Sequence, residues 1–76
     1  MIITIDGVDV EYDANTVFRT EVGKGKGAYK DIRYTEVGYP LTASRWYKGV
    51  NIGNGYKKRF VMIKDGKRTV ICRKTS

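Results

Sequence analysis

Histidine is absent from this chain of 76 residues, and cysteine and proline occur once each. Without histidine there are no Ser-His or Cys-His nucleophilic pairs, and the commonest ligand for zinc and iron is missing. A lone Cys72 excludes an intrachain disulfide and a four-cysteine zinc site, which fits a reducing, intracellular setting. It lies in the apolar run TVIC and reads as a small packed hydrophobe rather than a reactive thiol. Long apolar runs are also lacking. None approaches the roughly 18 residues of a membrane-spanning helix, and the N-terminal MIITIDG has neither the basic region nor the long apolar region of a signal peptide. Neither a membrane, a metal nor a cofactor is therefore expected. A chain this short forms one domain, residues 1–76, that buries only about 60% of the surface its unfolded state exposes. Its stability is expected to total about 4 to 11 kcal/mol. Such a molecule supports a binding surface more readily than a deep catalytic cleft.

Positive charge is abundant. Fifteen Lys and Arg face eight Asp and Glu, a formal net charge of +7. The excess is unevenly placed: residues 1–22 hold five carboxylates against Arg19 alone, whereas residues 23–76 hold fourteen basic residues against Asp31, Glu36 and Asp65. An acidic N-terminal scaffold and a basic face built from the later strands are expected, with nucleic acid, DNA or RNA, as the partner class.

Hydrophobic periodicity points to strands. In IITIDGVDVEY, Asp6 and Gly7 fit the two central positions of a type I′ turn, which pairs Ile5 with Val8 and Ile3 with Val10 and gives these four one buried face. DANT, residues 13–16, reads as a loop. VFRTEV and AYKDIRYTEV read as the next two strands, with GKGKG as the hairpin tip between them. Pro40 marks a break. LTASRWYK, closed by Gly49, has the length of a short helix, but its aromatic content favours a strand. GYKKRFVMI and KRTVICRK follow, joined by a second Asp-Gly turn in KDGK. The consecutive Phe60, Val61, Met62 and Ile63 predict a central strand covered on both faces, and the last residues, KTS, are expected to fray. The expected fold is all-β or β-rich: a small antiparallel sheet of about five to six strands built from hairpins, with at most one short helix.

The glycine spacing in GKGKG matches neither a dinucleotide-binding fingerprint nor a Walker A loop. It reads instead as a mobile tip whose Lys24 and Lys26 reach a phosphate backbone, with Lys30 and Arg33 extending the contact along the next strand. In SRWYKGVNIGNGYKKR, aromatic and basic residues interleave. Arg45, Lys48, Lys57, Lys58 and Arg59 are candidate phosphate partners, and Tyr47 and Tyr56 are candidate stacking faces for bases. Alternation places Lys57 and Arg59 on one face and Lys58 on the other. Trp46 offers a third stacking face but, as the largest apolar side chain of a small domain, is expected in the core, with Tyr47 pointing the opposite way in a strand. Lys67 and Arg68 complete the set. Asp65-Gly66-Lys67 has the shape of a D-x-K nuclease motif but coincides with the turn and lacks a second carboxylate, so binding without turnover is expected.

SRWYKGV, KKRFVMI and DGKRTVI together resemble the three-stranded sheet of AP2-type DNA-binding domains and of the arm-binding domains of some integrases, over about residues 45 to 71. The resemblance implies a sheet laid on DNA. The helix that follows the third strand in those families has no counterpart here. A second class of function is also compatible with the charge: a small inhibitor or adaptor, of the kind that phages and other mobile elements encode, docking on an acidic or nucleic-acid-binding surface of a larger protein.

Overall fold

The N-terminal hairpin shows how closely local sequence dictates structure here. In a computed structural model that describes residues 1–76, β1 (Ile2–Ile5) and β2 (Val8–Glu11) pair antiparallel with Ile5 opposite Val8 and Ile3 opposite Val10. Asp6 and Gly7 connect them at φ 48° and 77°, the left-handed pair that a type I′ turn requires. Ile5 and Val10 are buried and Ile3 partly so, but Val8, although paired with Ile5, is 43% exposed. The buried face is therefore shorter than the alternation predicts.

The Asp13–Thr16 loop is stitched by its own side chains. Asp13 Oδ1 accepts hydrogen bonds from the Asn15 amide at 2.8 Å and from the Thr16 hydroxyl at 3.1 Å. These bonds hold the Asp13 carboxyl below its ordinary pKa.

Four strands then form the main sheet: β3 (Val17–Lys24), β4 (Tyr29–Val37), β5 (Tyr56–Lys64) and β6 (Lys67–Thr75), in the order β4-β3-β5-β6, all antiparallel. Asp65 and Gly66, at φ 51° and 75°, close the β5–β6 hairpin as the Asp-Gly signal predicts. Strand β5 is internal, and Phe60 and Val61, which point to opposite faces, are both fully buried. The C-terminus does not fray as expected. Ser76 donates its amide to the Tyr56 carbonyl at 3.0 Å and accepts from the Gly55 amide at 3.3 Å.

The segment expected as a strand after Pro40 is a helix, α1 (Pro40–Gly49). Its buried residues, Pro40, Ala43, Ser44 and Tyr47, recur at helical spacing. Two of them, Ala43 and Ser44, are small, and Ser44 is also polar. Ser44 satisfies its hydroxyl by donating to the Leu41 carbonyl at 3.0 Å, so the apolar period is faint in the sequence. Pro40 occupies the first turn, where its missing amide proton costs nothing. The resemblance to a three-stranded sheet over residues 45 to 71 fails at this point, because its first element is helical.

Helix α1 and the β1–β2 hairpin cover one face of the sheet. There Ile5, Val10, Phe18, Ala43, Tyr47, Phe60 and Ile71 form the core. Phe18 and Phe60 stack at 5.9 Å between centroids, Tyr47 packs on Phe60 at 5.5 Å, and Tyr12 meets Phe18 edge-on at 6.1 Å. Cys72 packs against this core, and burial together with the nearby Asp6 carboxylate pushes its thiol pKa up to about 11, that of an inert thiol. No helix is long and apolar enough to cross a membrane. The opposite face of the sheet carries no second layer of helix or strand.

Candidate nucleic-acid interface

Strand register determines which residues share the open face. Opposite Arg19 on β3 lie Thr35 on β4 and Val61 on β5, and opposite Glu21 lie Ile32 and Arg59. On β6, Arg73 lies opposite Arg59, Val70 opposite Val61, and Arg68 opposite Ile63. The same alternation adds Tyr29 and Lys57, which flank Gly23. One face thus brings together Arg19, Lys57, Arg59, Arg68 and Arg73, and Glu21 is the only carboxylate among the residues in register with them.

Glu21 organises this cluster. Its side chain is 6% exposed, and it accepts a hydrogen bond from Arg59 Nε at 2.8 Å and another from Arg68, while Arg19 approaches to only 3.7 Å. Burial alone would raise the carboxyl pKa, but the two arginine hydrogen bonds outweigh it and hold the group below its ordinary value. Three guanidiniums compete for two carboxylate oxygens, so donors are in excess. Arg19 Nε is buried without a hydrogen-bond partner in the chain. The Arg59 guanidinium also lies over the Tyr29 ring at 3.9 Å, with Lys57 over the same ring at 4.7 Å. Arg59 and Arg68 are therefore held in place, and the face retains a positive excess.

The GKGKG tip adjoins the Tyr29–Lys57 end of this face. It is tied down rather than free: the Gly25 amide donates to the Gly55 carbonyl at 2.6 Å, the Gly27 amide to the Lys24 carbonyl at 3.0 Å, and Lys57 Nζ to the Gly27 carbonyl at 2.6 Å. Glycine is required at position 23, where a Cβ would stand 2.8 Å from the Ala28 carbonyl oxygen. Lys24, Lys26 and Lys30 are exposed around the tip, with Lys24 5.7 Å from the Tyr56 ring centroid. At the other end, Lys67 is exposed beside the Asp65–Gly66 turn.

Two of the candidate residues have structural duties instead. Tyr47 is 5% exposed and packed on Phe60, so it offers no face to a base, and burial raises its phenol pKa. Lys58 is 4% exposed, and its Nζ donates to the carbonyls of Tyr47 at 2.5 Å and Val50 at 2.9 Å. It caps the C-terminus of α1, where a cation complements the helix dipole. Burial, with the nearby Lys74, lowers its pKa. Neither residue is available to a nucleic acid.

The remaining candidates lie away from the open face. Lys48 reaches Asp6 across an exposed pair at 3.6 Å. Arg33 and Arg45 stand beside Trp46, which is not core: it is 52% exposed and stacked on Tyr34 at 4.5 Å. Arg19, Arg73, Tyr29 and the organising Glu21 escaped the sequence reading. Arg19 and Glu21 were hidden because the change from acidic to basic sequence after residue 22 cuts through β3, assigning them to the scaffold. Their signal was alternation: Arg19 and Glu21 share a face, as do Lys57 and Arg59. No protein-family model, curated protein or solved structure matches the chain.

Proposed function

We propose that this protein is a non-enzymatic nucleic-acid-binding module whose open sheet face contacts the phosphate backbone. The observation that carries this reading is the cluster of Arg19, Arg59 and Arg68 around the single buried carboxylate of Glu21, with Arg73 and Lys57 beside it. Arginine presents planar, multiple donors that suit phosphate oxygens, and here the donors exceed what Glu21 can satisfy. Lys24, Lys26 and Lys30 extend the positive surface around the tip.

The width of the sheet argues for backbone contact over base reading. Three inter-strand spacings of about 4.8 Å make it roughly 14 Å between its outer strands, before side chains are added. A B-form major groove is about 12 Å wide, so the four strands lie across the groove rather than within it. Contacts of this kind position a protein on nucleic acid with little sequence preference.

The test is fluorescence anisotropy with labelled duplex and single-stranded oligonucleotides of unrelated sequence, comparing the wild type with the Arg68→Glu/Arg73→Glu double variant. Binding that varies little with sequence and drops at least tenfold in the variant supports the proposal. Absence of binding at low salt overturns it and directs attention to an acidic protein surface as the partner of the same arginines.

A further inference from the structure

A second site lies off the open face, at the edge of the sheet. Arg33, Arg45, Trp46, Gly49, Val50 and Asn51 line an open cavity of about 550 Å³, within the range of small-molecule sites. Three features of its construction point to one ligand chemistry.

The first is the indole. Trp46 is the only tryptophan, it projects from α1, and Tyr34 stacks on it at 4.5 Å with an 11° angle between rings. It remains 52% exposed, so the stack holds the indole fixed while leaving apolar aromatic surface open to the cavity. The second is a β-bulge. Thr20 pairs with Tyr34 and Glu21 with Ile32, so Arg33 is the extra, unpaired residue of β4. A bulge re-aims a side chain from the sheet, and here it places Arg33 at the cavity beside Arg45. The only ion pair of Arg33 is to Asp31 at 3.4 Å, with both side chains more than half exposed, a contact that is released at little cost. The third is Gly49. A Cβ there would meet nothing within 4 Å, and the residue does not adopt a left-handed φ, so packing does not require glycine. It lines the cavity with backbone alone.

An exposed aromatic face and two guanidiniums, with no carboxylate in the lining, match a ligand that is flat, aromatic and anionic. Lys58 occupies the carbonyls of Tyr47 and Val50 at the adjoining helix end, which removes part of the negative potential that would repel an anion.

We infer that this cavity is a nucleotide site, in which an unpaired base stacks on Trp46 and its phosphates are held by Arg33 and Arg45. The inference rests on the proposed nucleic-acid binding and adds preference for single-stranded or looped regions to it. Stacking on an aromatic side chain typically strengthens binding by roughly 5- to 150-fold per base.

Because Trp46 is unique, its emission reports on the site directly. The probes are hexadeoxyadenylate and a hexamer of the same length carrying only abasic sugar-phosphates. The adenine hexamer should quench Trp46 emission saturably, and the abasic hexamer should bind more weakly without quenching. Trp46→Ala should weaken the adenine hexamer roughly tenfold and leave the abasic hexamer unchanged, while Trp46→Phe should retain most of the affinity. Gly49→Leu keeps the exposed tryptophan and fills the cavity. It should melt like the wild type and lose the quenching. If both hexamers bind equally and Trp46 emission does not respond, phosphate binding stands and the base site is overturned. If neither hexamer binds at low salt, the binding proposal fails and this site with it.

Discussion

Arg59 donates from Nε to Glu21 Oε1 at 2.8 Å, joining the two central strands β5 and β3 across the open face of the sheet. The carboxylate is buried, and Arg68 and Arg19 surround it from β6 and from β3 itself. Fold and proposed site are coupled here, since the group that spaces the arginines also joins three positive charges that would otherwise repel one another.

Removal of that group should therefore be felt as stability. Glu21→Gln leaves the guanidiniums without a counter-charge and should cost about 1 to 3 kcal/mol, below the usual figure for a fully buried pair because the arginines are partly exposed. Urea denaturation at pH 7 measures it.

The same residue sets a pH dependence. Its folded pKa lies below the ordinary 4.5, so its contribution is fully present at neutral pH and is lost as pH falls below about that value. Asp13, lowered by its hydrogen bonds to Asn15 and Thr16, acts in the same direction. Thermal melts between pH 6 and pH 3 should show the midpoint declining at the acid end, less steeply in Glu21→Gln than in the wild type.

Val10 and Val8 offer a paired test of the hairpin register. Val10 is 3% exposed and Val8 43%. Val10→Asp buries an unpaired charge, which costs several kcal/mol against a total of about 4 to 11 and should abolish cooperative melting. Val8→Asp should melt within a few degrees of the wild type.

Much of this architecture was legible because short-range signals carried it. Both Asp-Gly turns, the pairing of Ile5 with Val8, the internal position of β5 and the opposite facing of Lys57 and Lys58 follow from turn chemistry and the two-residue period of a strand. The helix was not legible. Its buried face rests on Pro40, Ala43 and Ser44, which are small or polar, while Trp46 and Tyr47 carry strand propensity that tertiary packing overrides. That error propagated to the site. In a strand Trp46 and Tyr47 point oppositely, whereas on the helix Tyr47 enters the core and Trp46 stays half exposed against Tyr34. The capping role of Lys58 was hidden for the same reason, since it depends on the end of a helix whose aromatic residues favour a strand.

Tyr47→Ala should accordingly behave as a core truncation. Loss of its packing on Phe60 should cost about 3 to 5 kcal/mol in urea denaturation, and any folded fraction should show an unchanged salt dependence of binding.

The tip should behave in the opposite way. Lys24 and Lys26 are exposed, so Lys24→Ala/Lys26→Ala should leave the melting temperature unchanged. If both lysines contact duplex phosphates, the slope of log K against log salt should become less negative by about 2.

The salt dependence of duplex binding by the wild type tests the central claim most directly. With about 5 to 6 basic side chains of the open face and tip on phosphates, the slope should be about −5, and affinity should fall roughly a thousandfold between 50 and 200 mM salt. A slope near zero, or no binding at 50 mM, would contradict the assignment of the Glu21-centred arginine face to the nucleic-acid backbone.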